Sequence, residues 1–476
     1  MFNNLMYMHR YMMGQMRRIY FMALPESEKD MKSSRYYFIV ADSAVQTIAQ
    51  LIGGTFLATL MSYSGVSDAN IGIITSLVSL AALSQLFLIN FFKKIKKYKL
   101  LVTATALQRM LFAVIYLIPI LMIGKTAASI IIVLLYFIGQ VFVQIGSPAS
   151  QDWIASLVPS RIRGNYFSTK DSIAVFVVSS MMLLCGMVFD HYKSTGDMLT
   201  GFKIVSAIIF FLTLINVIAL SMMKEPKTSY VNASGKEMHG RLAKRAKELE
   251  TVPEVKSIVH EIKEAFQNHR FRKAFMVQCL FTLAFYICAP FSASYQINDL
   301  SLPYTFIMSI SFIFNLYRIF IMPRLGRLAD KYGMSKLTRF SLLALGLNFL
   351  SASFMMPWNA YPMYILSTFF SSTAWAFLGI GLFGIQLDFF EKEKRMIWLT
   401  ITSSLSGVFG FLVSIFAGTI LDILQHQNLH LLGTKIYAQQ VLNLLGFLVT
   451  LFAVFFIKRF LEPEEIDKNN TDGEIK

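Results

Sequence analysis

The sequence predicts an all-α integral membrane protein, with twelve transmembrane helices arranged as two related six-helix halves. Three observations predict it. The chain is 55% hydrophobic over 476 residues, with a mean hydropathy of +0.54, where soluble domains run near 45–50% apolar. Its apolar residues gather into twelve continuous runs, each close to the ~20 residues that a helix needs to cross a ~30 Å hydrocarbon layer. Basic residues crowd on one side of these runs, and the second half of the chain repeats the first. Continuous rather than alternating runs exclude a transmembrane β-barrel.

A net charge of +16 in a soluble chain would suggest nucleic acid. Its distribution gives a different reason. Of the 44 Lys and Arg, 38 fall in the terminal tails and the five loops on the same side. Lys125, Lys193, Lys203 and Lys435 fall on the opposite side, and Arg109 and Arg318 within spans. This is the positive-inside pattern, which predicts both termini in the cytoplasm of a multi-pass cell-membrane protein. Lipid, and not nucleic acid, is the expected partner. Cys185, Cys279 and Cys288 all lie in apolar runs, as packing residues do.

Residues 1–34 read as a cytoplasmic tail that interleaves Met, Tyr and Phe with Arg10, Arg17 and Arg18. It shows no signal-peptide pattern, and an interfacial helix and a disordered tail fit it equally. The first six spans fill residues 35–223, at about 35–60, 70–92, 100–123, 128–152, 169–189 and 202–223. Residues 224–270 are a charged linker with an amphipathic helix opened by Pro253, its apolar face being Val255, Ile258, Val259, Ile262 and Phe266. Six more spans fill residues 271–457, at about 272–294, 303–322, 337–356, 362–387, 398–420 and 437–457, before a polar tail over 458–476.

The repeat is visible in the letters. Residues 163–190 and 395–422 align at an offset of 232, matching Arg163 with Arg395, Gly186 with Gly418 and Asp190 with Asp422. At an offset of 234, Lys97 and Tyr98 match Lys331 and Tyr332. Repeated halves are a common plan among secondary transporters.

Between spans 8 and 9 the chain carries Gly326, Asp330, Lys331, Gly333 and Lys336 in a short charged stretch, read as a turn at the membrane surface. Its pattern G-x-L-A-D-K-x-G-x-x-K resembles the signature loop of the major facilitator superfamily. The stretch Pro159, Arg161, Arg163 and Gly164 is similar to the family's helix 4–5 loop. The resemblance covers residues 35–457. It implies two pseudo-twofold-related bundles around a mid-membrane site, and a small solute moved by alternating access. In the family the loop aspartate latches one face shut. Asp330 would then face Arg161 and Arg163 at the start of span 5, where helix dipole and charge both favour a carboxylate. The first-half copy has Phe92 and Lys96 in place of Gly326 and Asp330, so an inverted latch is expected there, Lys96 facing Glu391. Simple inner-loop basicity explains those lysines equally well.

The resemblance also makes helices 1, 4, 7 and 10 cavity helices. They carry Asp42, Gln46 and Gln50; Gln140 and Gln144; Gln278 and Tyr286; and Ser371, Ser372, Trp375 and Gln386. Polar side chains at membrane depth face a cavity or one another. Asp42 and Arg109 lie at similar depth in spans 1 and 3, and each costs about 2.5–3.5 kcal/mol at a helix centre unless paired or wetted. They are expected to meet, as an ion-coupling pair or as a structural one. Arg318 reads as lying near the inner surface, snorkelling or touching the signature loop.

No nucleotide-binding loop and no nucleophile–base set is present, so neither an ATP-driven pump nor an enzyme is expected. No cofactor or metal is expected; His426 and His430 alone are a weak metal signal. The amide-rich cavity favours a polar solute such as a sugar or metabolite, with protons as the coupling ion and a monomer as the working unit. Lipophilic efflux and a non-transporting sensor remain open.

Overall fold

The computed structural model describes residues 26–85, 98–121, 124–158, 163–224, 230–231, 237–238, 258–391, 394–427, 430–431 and 434–464. A helix stands at each expected span. Span 1 is built from Glu26–Leu51 and Gly54–Tyr63, and span 2 begins with Asp68–Thr75 and Leu77–Ala81. Span 3 is Tyr98–Leu107 with Met110–Leu117; spans 4, 5 and 6 are Lys125–Leu157, Arg163–Thr195 and Met198–Met222. Span 7 is His269–Ser294, span 8 Tyr304–Tyr332 and span 9 Met334–Ser353. Span 10 is Ala360–Trp375 with Leu378–Phe389, span 11 Arg395–His426 and span 12 Ala438–Phe456. Among the described residues nine helices are long and apolar enough to cross a membrane, or ten if the bent pair of span 1 counts as one. The exceptions are span 2, described only to residue 85, and span 9, which carries Lys336 and Arg339 in its first turns. Among the described residues the strands are two short antiparallel pairs, Tyr230–Val231 with Glu237–Met238 and His430–Leu431 with Thr434–Lys435.

Three expectations are corrected. Span 1 is not one straight helix: it bends by 41° between Leu51 and Gly54. Gly53 is extended and Gly54 has φ +48°, a backbone state that glycine adopts without the usual steric cost. The charged stretch before span 9 is not a loop, because span 8 continues as helix to Tyr332 and Gly326 sits in its interior. Only Gly333 breaks the helix, with φ +93° and its N–H on the Ala329 carbonyl at 2.9 Å. Finally, residues 26–34 and 458–464 belong to helices rather than tails. Lys273 pairs Glu464 at 2.6 Å and Arg339 pairs Glu462 at 3.1 Å, which ties the end of span 12 to spans 7 and 9.

Packing follows the repeat. Span 1 packs on 5 and 6 as 7 packs on 11 and 12; span 3 packs on 4 and 6 as 9 packs on 10 and 12; span 2 packs on 4 as 8 packs on 10. Between the halves, 5 packs on 8 as 11 packs on 2. Every one of these pairings maps onto its partner when the halves are exchanged, which is the pseudo-twofold arrangement.

The two ends of the bundle differ. At the end away from Glu26 and Glu464, here called distal, one apolar cluster takes buried residues from both halves, including Phe56, Phe112, Phe189, Phe202, Tyr295 and Tyr304. At the terminal end the clusters separate. One, around Trp153, holds first-half residues alone, and another, around Phe271 and Trp398, second-half residues alone. The linker helix Ile258–Gln267 packs beneath spans 7 and 11. Ile262 and Phe266 of its expected apolar face meet the second-half cluster, whereas Val259 stays exposed. Glu264 hydrogen-bonds Lys394 and so holds that ammonium above the usual lysine range.

Candidate functional site

Three chambers of about 420, 380 and 260 Å³ meet in the middle of the bundle. Gly54 borders the first two, Trp375 and Gln296 the second and third, and Phe285 the first and third. The bend in span 1 thus lies between the first two. The two glycines place no side chain there, and Gly54–Tyr63 begins at an exposed Gly54 with no side chain capping its first turn.

Of the residues singled out in the sequence, Gln46 and Gln50 line the second chamber with Ser371, Ser372 and Trp375. Gln140, Gln144 and Tyr286 line the first. Gln144 accepts from Gln85 of span 2 at 2.7 Å, and Tyr286 meets Ser79 across the halves. Gln278 and Gln386 bond one another at 3.0 Å between spans 7 and 10 and do not line the chambers. They satisfy each other inside the second half, as buried amides must.

The expected meeting of Asp42 with Arg109 does not form. Asp42 Oδ2 receives Lys170 Nζ of span 5 at 2.8 Å and Gln46 Nε2 at 2.6 Å. Arg109 instead donates to Asn216 Oδ1 of span 6 at 3.2 Å, and lines the first chamber. Lys170 is buried and also pairs Asp171 at 2.8 Å, so one ammonium is shared by two carboxylates. Lys170 escaped the sequence reading because a lysine at the start of a span is what the positive-inside pattern supplies anyway.

Arg318 is also displaced from its expected place. It lines the 380 Å³ chamber beside Asn315, and Asn315 donates to Ser179 of span 5 at 2.9 Å. Of the latch residues, Arg161 and Lys96 lie outside the described residues, as do the side chains of Asp330 and Arg163. Lys331 lies over the Tyr332 ring at 5.2 Å. Glu391, the expected partner of Lys96, accepts from Asn268 Nδ2 at 2.6 Å, just ahead of span 7.

The distal seal is polar as well as apolar. Asp190, at the end of span 5, accepts the N–H groups of Tyr304 and Thr305 at 2.9 and 2.6 Å and so caps span 8 of the other half. Tyr304 and Thr59 share a hydroxyl bond of 2.8 Å between the halves. Asp68, opening span 2, accepts from Ser294, from Asn298 at 2.8 Å and from Gln425 at 3.4 Å.

A family model described as Major Facilitator Superfamily matches residues 43–418. No curated protein matches the chain by sequence. Among solved structures, a mutant form of the nucleoside transporter NupG is 14% identical with a TM-score of 0.64, over 90% of this chain and 100% of that one. A D-xylose–proton symporter is 14% identical with a TM-score of 0.63, over 90% and 98%. The inward-open xylose transporter XylE from E. coli is 15% identical with a TM-score of 0.57, over 93% and 98%. At such identities the likeness is one of fold. Family and fold point to a non-enzymatic transporter, and with its many apolar helices the protein is a multi-pass membrane protein. Matched over most of its length, the chain belongs to the major facilitator superfamily.

Proposed function

We propose that this protein is a secondary active transporter that carries a small polar solute by alternating access, with Asp42 coupling transport to protons. The observation that carries the reading is a polar chamber built by both halves, sealed at the distal end by residues of both and flanked at the terminal end by separate clusters. Such a bundle has one end closed and the other free to part. The positive-inside distribution makes the terminal end cytoplasmic, so this arrangement faces inward. Gln46, Gln50 and Trp375 are proposed as solute contacts, with Gln140, Gln144 and Tyr286 on the neighbouring wall. The nucleoside and xylose–proton transporters of the same fold support a polar solute and a proton as the coupling ion.

In this reading Lys170 replaces Arg109 as the partner of Asp42. Protonating Asp42 would free the ammonium to sit on Asp171 alone, loosening span 1 from span 5. The latch of Asp330 with Arg161 and Arg163, and of Lys96 with Glu391, remains part of the proposal, as does a monomeric unit in the cell membrane. Proteoliposomes test the reading. An inwardly directed proton gradient should drive accumulation of a solute, and Asp42→Asn should abolish accumulation while sparing exchange. Wild-type accumulation by Asp42→Asn would remove the coupling role; a gradient-independent, solute-free protein that only signals would be a sensor.

A further inference from the structure

The linings of the three chambers contain two charged side chains among the described residues, Arg109 and Arg318, and both are cations. They are not equivalent. Arg109 is engaged by the Asn216 amide. Arg318 has a buried Nε with no hydrogen-bond partner, and the carboxylate acting on it through space, Asp171, already holds Lys170 at 2.8 Å. A guanidinium costs much to bury without an anion, and its planar fork matches a carboxylate better than any neutral group.

The same 380 Å³ chamber receives the uncapped first turn of Gly54–Tyr63, with Gly54, Thr55 and Phe56 in its wall. Free N–H groups at a helix start favour negative charge, and a helix broken at mid-membrane directs that end at an anionic substrate group in other transporter folds. Amides and hydroxyls complete the wall at Gln46, Gln50, Ser371 and Ser372. Resting on the transport reading above, we infer that the solute is a small hydroxy-carboxylate, held by its carboxylate on Arg318 and by its hydroxyls on these amides and serines. One arginine with no carboxylate in hydrogen-bond contact fits a single negative charge. The chamber's size fits a solute of sugar-acid dimensions.

The test uses the purified full-length protein and matched pairs at equal ionic strength: glycerate against glycerol, gluconate against sorbitol, and glucuronate against glucose. Thermal stabilisation should follow the acid in at least one pair. Arg318→Gln should weaken that acid about tenfold to a hundredfold, with Arg318→Lys in between, and should abolish its uptake into proteoliposomes. If Arg318→Gln does not fold, Arg318→Lys must still lower the affinity for the acid and not that for the neutral partner. Equal stabilisation by acid and neutral partner, or undiminished acid binding by Arg318→Gln, overturns the inference and leaves the transport reading standing. Gradient-driven uptake of the neutral partners alone does the same. If no member of any pair binds or is taken up, the inference falls and the transport reading does not.

Discussion

The halves meet along two seams that the repeat makes equivalent, span 5 on span 8 and span 11 on span 2, and the seams are built differently. Their glycines match. A Cβ on Gly186 would sit 3.2 Å from the Tyr304 carbonyl and 3.1 Å from Met308; one on Gly418 would sit 3.3 Å from the Ala69 carbonyl and 2.9 Å from Ile73. Each repeated glycine therefore allows the same close crossing. The repeated aspartates do not match. Asp190 caps the helix of the opposite half, whereas Asp422 is exposed, with His426 of its own turn at 3.8 Å. On that seam Ser67 caps span 2 itself, and Asp68 reaches across instead. Backbone proximity is common to both copies, while polar closure has been reassigned from one residue to another.

The largest effect on this comparison should come from the glycines. Gly186→Val and Gly418→Val should each destabilise by about 1–3 kcal/mol through overpacking, to similar extents, measured as loss of thermal stability in detergent. A large effect at one site alone would break the equivalence of the seams. Asp190→Ala should follow, at about 1–2 kcal/mol for a lost helix cap, and should also raise reagent access to the distal end. Asp68→Ala removes an acceptor shared by Ser294, Asn298 and Gln425 and should cost about 1 kcal/mol. The smallest effect belongs to Asp422→Ala, within about 0.5 kcal/mol, as for exposed side chains generally. If Asp422→Ala matched Asp190→Ala, the asymmetry between the two aspartates would be wrong.

The spans were legible because length and continuous apolarity are demanded by lipid, independently of tertiary contacts. The repeated glycines were legible for the same reason that they matter: close crossings tolerate no side chain, so both copies retain one. The site was harder to read. Gly53 and Gly54 lie in an apolar run that a straight helix accommodates, and only the folded backbone reveals the bend. Arg318 sits within two turns of Pro323 and Arg324, so its letters resemble those of a membrane border. Asp42 announced that it needed a partner but not which one. Lys170 and Arg109 both satisfy the charge rule, and the packing of span 1 on span 5 decides between them. Gly326 carried the family pattern yet lies in mid-helix; the turn requires Gly333 alone.

Alternating access over these two seams requires that opening at one end accompany closing at the other. Spin labels at Ser194 and Trp358 straddle the halves at the distal end, and labels at Leu100 and Arg459 straddle them at the terminal end; all four positions are exposed. Pulsed distance measurements in liposomes, with and without a proton gradient, should give two distances for each pair, the distal one lengthening as the terminal one shortens. A single fixed distance at both ends under every condition, or two distances that lengthen together, would contradict the account.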